Sequence, residues 1–153
     1  EHQVGVELCP KVALANRIIN WHEQHYREGT AKNERTNRRF KRGVRILKRM
    51  RDYLRDSAGG EAGEVASATP SFLIECLAFN AADRCFNLQE GSYYLDIKSV
   101  VAEMWNATTP QASVSGLVEV NRMKSLFAPT QPWERKTAHA FLLQVWAHVG
   151  FAS

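Results

Sequence analysis

The chain has 153 residues, of which 44% are hydrophobic and 24% are charged, and its net charge at pH 7 is +4. This length suits one domain with a substantial core, and no apolar run approaches the roughly 18 residues that a membrane span needs. With no signal peptide at the front either, a membrane protein is excluded and a cytoplasmic protein is expected. The chain begins at Glu1 rather than Met, so we expect it to derive from a longer protein.

The N-terminal part predicts one strand and two helices. The letters QVGVE at 3–7 alternate polar and apolar residues, as a strand does, but a lone strand buries nothing and needs partners outside the chain. The next segment predicts a short helix that stops at Gly29. Thr36 or Asn37 is the expected N-cap of a second helix, which runs to about Arg55.

The C-terminal part predicts three more helices joined by loops. Residues 57–69 are small and polar, which predicts a flexible loop. Pro70 then opens an apolar helix with Thr69 as its N-cap, Ser92 caps the next helix, and the last helix stops at Gly150. The predicted fold class is therefore all-α, a helical bundle with at most one or two short N-terminal strands.

Half of the basic residues lie in the second helix and its N-terminal flank, residues 35–55. This segment holds ten of the 20 lysines and arginines, against a single acidic residue, Asp52. On a helical wheel Lys41, Arg45 and Lys48 fall on one face, opposite an apolar arc. A solvated face usually mixes charges because like-charge pairs are unfavourable, so this pattern favours an anionic partner. Four arginines widen the face: Arg38, Arg42, Arg49 and Arg55.

The sequence leaves the chemical class of that anion open. The aromatic residues Phe40 and Tyr53 lie toward the apolar arc, so the base-stacking pattern of RNA-binding surfaces is weak. A membrane-surface helix is disfavoured because the apolar face is committed to a core. A compact polyphosphate and a nucleic-acid groove both remain.

No metal site is predicted in this chain. His22 and His25 are three residues apart, whereas the zinc-protease pattern places two histidines four apart, and no third ligand is evident. The three cysteines have no ligand-like spacing, which argues against structural zinc and against a disulfide framework.

Three stretches carry a family resemblance: HEQHYREGTAKNERTNRRFKRGVRILKRMR, TPSFLIECLAFN and EVNRMKSLFAPTQPWERKTAHAFLLQVWAHVGF. They resemble the C-terminal helical half of bacterial nucleotidyltransferases, which belong with the cyclic-GMP-AMP-synthase-like and oligoadenylate-synthase-like enzymes of anti-phage signalling. The resemblance extends from about Gly5 to Phe151.

The resemblance implies that the catalytic centre lies in another half of such a protein. There a Gly-Ser turn is followed by paired acidic residues, which hold two Mg²⁺ ions together with a third carboxylate; no Gly-Ser turn followed by D-x-D precedes the helices here. Residues 1–10 are therefore expected to be a remnant of the catalytic sheet, and residues 11–153 the helical nucleotide-binding domain. We expect this chain alone to be inactive, to hold no Mg²⁺ and to partner the missing N-terminal catalytic core.

The resemblance also implies a set of nucleotide-binding residues. Lys48 matches a lysine that contacts the triphosphate of ATP or another nucleoside triphosphate. Ser71 matches a serine with a phosphate contact, and Phe72 matches a ring that stacks on the base, where many relatives have Tyr. Lys41 and Arg45 match no single contact of the family, but they share the basic face with Lys48 and are included on that ground. The set contains no catalytic residue.

Two functions are carried forward from the sequence. The first is the substrate-binding half of a Mg²⁺-dependent nucleotidyltransferase that makes a cyclic or linear oligonucleotide second messenger. The alternative is a non-catalytic module that binds RNA or DNA through the basic helix at 38–55.

Overall fold

Two short strands open the described part of the chain. The computed structural model describes residues 6–8, 18–20 and 22–151. Strands β1 (Val6–Leu8) and β2 (Ile18–Asn20) pair antiparallel. The strand predicted at 3–7 is thus found in part, since 3–5 lie outside the described residues. The expectation of a partner outside the chain is wrong for β1, because β2 supplies one. The register pairs Val6 with Asn20, Glu7 with Ile19 and Leu8 with Ile18.

Six α-helices follow in the described part of the chain and form one bundle. They are α1 (His22–Arg35), α2 (Arg39–Tyr53), α3 (Gly60–Ser67), α4 (Ser71–Asn80), α5 (Tyr94–Ala107) and α6 (Arg135–Val149). A π-helical turn, Leu54–Ala58, extends α2, and a 3-10 turn, Asp83–Cys85, follows α4. The predicted helical bundle with short N-terminal strands is confirmed. Among the described helices, none has both the length and the apolar character needed to cross a bilayer.

Aromatic rings build the centre of the bundle around Phe40 of α2. This fully buried ring makes edge contacts with Phe79, at 6.1 Å between centroids, and with Phe86, at 6.2 Å. Leu47 of α2 and Phe141 of α6 are buried in the same core. Burying each such side chain contributes on the order of 1.5–3 kcal/mol. The apolar arc of α2 is therefore fixed in the core, and its basic residues face the neighbouring helices or solvent.

Gly29 lies in the middle of α1, so the prediction that the helix stops there is wrong. The residue is buried, and a Cβ atom added to it would lie 3.6 Å from the side chain of Val120 and 4.0 Å from Phe40. Glycine in a helix interior costs about 0.5–1 kcal/mol relative to alanine. Both distances are ordinary van der Waals contacts, so the site has room for a Cβ atom and its packing does not require glycine.

The turn between α1 and α2 is held by side chains that cap α2 from a distance. The two residues before α2 have left-handed φ angles of 53° and 62°. Thr36 Oγ1 accepts a hydrogen bond from the backbone N–H of Phe40 at 3.1 Å, and Asn33 Oδ1 accepts one from Lys41 at 3.0 Å. Arg38 occupies the N-cap position, so the prediction of Thr36 or Asn37 as the N-cap is wrong, although the hydroxyl of Thr36 accepts a hydrogen bond from the first turn of α2.

The segment 57–69 is largely helical, and the prediction of a flexible loop is wrong. Ala62 and Ala66 of α3 are buried, and a Cβ atom added to the buried Gly63 would lie 3.6 Å from the backbone carbonyl oxygen of Leu54. Alanine is the strongest helix former, and its small side chain allows α3 to pack on the π-helical turn. The small and polar residues of the segment suggested a loop, whereas its alanines favour a helix and are buried against the bundle.

Helix α4 begins one residue later than predicted. Pro70 has an extended backbone and occupies the N-cap position, so Ser71 is the first helical residue. The hydroxyl of Thr69 donates to the carbonyl of Val65 at 2.7 Å instead of capping α4. Ser71 is consequently exposed at the helix start, where backbone N–H groups lack intrahelical partners.

Candidate functional site

Three basic residues of α2 face the neighbouring helices α1 and α4. Lys48 and Arg51 contact α4, as described below. Lys41 contacts α1, where its Nζ lies 3.4 Å from Thr30 Oγ1 and 5.5 Å from the ring centroid of Tyr26. These three side chains form the inner basic face of α2.

Three other arginines form a separate outer face: Arg45 and Arg49 of α2, and Arg38 at its N-cap position. Arg38, Arg45 and Arg49 are exposed, and their side chains have no hydrogen bond or ion pair within residues 22–151. Sequence analysis placed Arg45 with Lys41 and Lys48, but its side chain makes no contact with the groups that hold those two lysines. The basic helix therefore presents two surfaces rather than one.

Carboxylates from other elements pair with three of the ten basic residues in the segment 35–55. The fold brings these carboxylates from α4, α5 and the turn after α4. The pairs are Arg35 with Asp83, Arg39 with Asp96, and Lys48 with Glu75. The density of positive charge along α2 therefore does not by itself identify an external ligand.

Glu75 of α4 connects Lys48 to α1. Its Oε2 lies 3.3 Å from Lys48 Nζ, and its Oε1 lies 3.1 Å from His25 Nε2. The hydrogen bond with His25 lowers the pKa of Glu75; burial opposes that shift and the charge of Lys48 adds to it. Glu75 is therefore an ionised carboxylate near neutral pH. The pair is accessible to a ligand, because the side chain of Lys48 is 30% exposed and that of Glu75 is 25% exposed.

Ser71 shares with Glu75 the face of α4 that Lys48 approaches, because the two residues are one helical turn apart. Arg51 fixes the start of this helix: its Nη2 donates to Ser71 Oγ at 3.0 Å and its Nη1 to the carbonyl of Thr69 at 3.0 Å. The result is an amine, a guanidinium, a hydroxyl and a helix N-terminus on one side of the bundle. This is a chemical environment that favours an anion.

Phe72 belongs to a row of three aromatic rings beside this group. Its ring centroid lies 5.7 Å from that of His25, at an interplanar angle of 26°, and 5.7 Å from that of Trp133, at 43°. Phe72 is partly buried against the core. An aromatic ligand that stacks on Phe72 therefore has to pack next to the His25 ring or displace it.

Sequence analysis missed four residues of this site: His25, Arg51, Glu75 and Trp133. Helical spacing pointed to two of them, since Glu75 follows Ser71 by four residues and Arg51 follows Lys48 by three. His25 was weighed as a metal ligand, but in the structure its ring contacts Glu75 and Phe72. Residues 22–151 contain no group of three or more His, Cys, Asp or Glu side chains that could hold a metal ion.

Comparison with known protein families identifies the helical bundle. Residues 27–150 match the model of the cGAS/DncV-like nucleotidyltransferase C-terminal helical domain. The chain belongs to this family. The resemblance derived from the sequence is therefore confirmed, and the fold is that of a nucleotidyltransferase C-terminal helical domain.

Curated relatives of this helical domain are cyclic nucleotide synthases. It is 33% identical over 141 residues to the cyclic dipyrimidine nucleotide synthase CdnE of Legionella pneumophila, a match covering 92% of this chain and 44% of that protein. It is 35% identical over 135 residues to the cyclic dipurine nucleotide synthase of Elizabethkingia meningoseptica, covering 88% and 43%. The chain thus spans less than half the length of these relatives.

Solved structures of related synthases share this fold. The Elizabethkingia meningoseptica CdnE cyclic dinucleotide synthase with GTP and Apcpp superposes with a TM-score of 0.81 at 31% identity, covering 95% of this chain and 50% of that one. The Rhodothermus marinus CdnE c-UMP-AMP synthase with Apcpp and Upnpp gives 0.70 at 27% identity, covering 90% and 44%.

Proposed function

We propose that this chain is the helical substrate-binding half of a Mg²⁺-dependent nucleotidyltransferase that makes a cyclic or linear oligonucleotide second messenger. We further propose that the messenger serves anti-phage signalling and that the enzyme acts in the cytoplasm. The observation that carries the proposal is the approach of Lys48 to the face of α4 that bears Ser71, in a chain of this family. Its similarity to a synthase structure containing GTP and Apcpp supports the same function.

Each residue of the site has a role in this proposal. The ammonium group of Lys48 carries three donors on a flexible stem and suits a nucleotide triphosphate as a point charge. Ser71 supplies a hydroxyl at a helix N-terminus, where the helix dipole favours a phosphate group. Phe72 contributes a ring on which a nucleobase can stack. Lys41 of the inner face raises the local positive potential, and Arg45 of the outer face adds to it only at longer range and under screening by salt.

The described residues do not fit a Mg²⁺ site, because residues 22–151 lack any group of three His, Cys, Asp or Glu side chains that could ligate a metal. No step of the proposal is therefore assigned to a metal on this chain. We propose that the catalytic half holds Mg²⁺, and that this chain alone binds nucleotides but does not join them.

The proposed reaction predicts a specific product. Incubating the full-length natural protein with ATP, GTP, CTP, UTP and Mg²⁺ is expected to release pyrophosphate and to form an oligonucleotide that mass spectrometry identifies. The 153-residue chain on its own is the matched control and is expected to form none. The proposed function fails if the full-length protein, folded and binding triphosphates, yields only the starting nucleotides.

The outer basic face supports a second candidate function, the binding of RNA or DNA. Arg38, Arg45 and Arg49 are exposed without partners among the described residues, as a phosphate-binding surface requires. Their spacing along one face of α2 suits a nucleic-acid backbone better than a compact ligand.

A salt titration separates this second candidate from the first. If these arginines bind duplex phosphates, the affinity for duplex DNA falls steeply with salt, and changing all three to Gln reduces the log–log slope by about 3. Lys48→Ala, which changes the inner face, is expected to leave the slope unaltered. Weak binding with a flat salt dependence, or an equal effect of Lys48→Ala, removes the second candidate.

A further inference from the structure

Glu75 places a negative charge inside the site that is proposed to bind a triphosphate. Its carboxylate contacts Lys48 Nζ at 3.3 Å, and it follows Ser71 by one turn on the same face of α4. The two groups assigned to phosphate binding therefore both lie beside an ionised carboxylate. The carboxylate repels an incoming phosphate group and competes with it for the lysine.

The carboxylate of Glu75 is held at the site from its other side as well. His25 Nε2 lies 3.1 Å from Oε1, and the His25 ring stacks on Phe72. Glu75 thus has a second partner on α1, whereas the side chain of Lys48 has Glu75 as its one hydrogen-bond partner within residues 22–151. Lys48 also carries its amine on a flexible four-carbon stem. We therefore expect the lysine, rather than the carboxylate, to move when a ligand binds.

We propose that Glu75 is an internal anion that competes with nucleotide phosphate for Lys48 and weakens the binding of phosphate ligands in proportion to their charge. The inference rests on the proposed function, since it assumes that Lys48 contacts the triphosphate. In this arrangement Glu75 recaptures Lys48 when the ligand leaves. Glu75 thereby limits how tightly the site holds both the substrate triphosphate and the pyrophosphate released by the proposed reaction.

Inorganic phosphates of increasing length test this inference without any contribution from a base. The full-length natural protein is titrated by calorimetry with tripolyphosphate, pyrophosphate and orthophosphate. Glu75→Gln is expected to bind tripolyphosphate about three- to tenfold more tightly than the wild type, with a smaller gain for pyrophosphate and least for orthophosphate. Glu75→Asp keeps the charge and is expected to give no gain. Glu64→Gln, which changes an exposed carboxylate on α3, is the matched control and is expected to bind as the wild type does.

The outcomes distinguish this inference from the proposed function. If Lys48→Ala weakens tripolyphosphate binding but Glu75→Gln leaves it equal or weaker, the inference about Glu75 is wrong and the proposed function stands. An equal gain for all three phosphates, or the same gain with Glu75→Asp, also overturns the inference, because neither result follows from charge competition. If neither the wild type nor Glu75→Gln binds tripolyphosphate, both proposals fail.

Discussion

Replacing Lys48 with alanine is expected to raise the KM for nucleoside triphosphate by about 10- to 100-fold in the full-length natural protein. The physical reason is the loss of a charge-assisted contact to phosphate, which is worth about 1.5–3 kcal/mol. Steady-state release of pyrophosphate measures the effect. Because Lys48 also pairs with Glu75, the substitution leaves that carboxylate beside the triphosphate without its cation, which adds to the loss.

The neighbouring arginine provides the control for Lys48→Ala. Arg49 has the same charge, lies one residue further along α2 and has an exposed side chain without a partner in residues 22–151. Since it belongs to the outer face, Arg49→Ala is expected to change KM by less than about twofold, as exposed charges far from a ligand are screened. Equal effects of the two substitutions would show that only the general positive field of α2 matters. An unchanged KM in Lys48→Ala would remove the lysine from the site.

The sequence predicted the elements whose periodicity agrees with their packing. The apolar arc of α2 and the end of the last helix at Gly150, which adopts a left-handed φ of 75°, both follow from local rules. The errors at Gly29 and at 57–69 have a common cause. Both places contain residues that suggest a turn or loop, but Gly29 is buried within α1, and Ala62 and Ala66 are buried within α3, which a local pattern does not reveal.

The candidate site was predictable only where a resemblance supplied the residues. Family motifs predicted Lys48 and Ser71 as site residues. The structure adds that Lys48 contacts the face of α4 on which Ser71 lies. The contacts that connect them were not predictable, because Glu75 is 27 residues from Lys48 and 50 from His25 along the chain. Charge patterning along α2 was incomplete for the same reason: the carboxylates that pair with Arg39 and Lys48 lie on other elements and reach the helix only in the folded chain.

Asp96→Ala is expected to lower the free energy of unfolding of this chain by about 3–5 kcal/mol, as is typical of breaking a buried ion pair. Asp96 is only 1% exposed, and its carboxylate accepts hydrogen bonds from Arg39 Nε at 2.5 Å and from the backbone N–H groups of Asn87 at 3.0 Å and Leu88 at 2.9 Å. Removing it leaves a buried guanidinium without its counterion and two N–H groups without acceptors. Urea denaturation followed by circular dichroism measures the change.

Asp56→Ala is the matched control, because it also removes an aspartate paired with an arginine of the basic segment. Asp56 contacts Arg55 at 2.8 Å, but both side chains are exposed, so water replaces the lost partner and stability is expected to change little. Charge and residue type are the same in both substitutions, so the contrast reports the burial of Asp96 together with its two backbone hydrogen bonds. If Asp96→Ala and Asp56→Ala lowered the free energy of unfolding equally, the buried Arg39–Asp96 pair would not be what stabilises the contact between the start of α2 and α5.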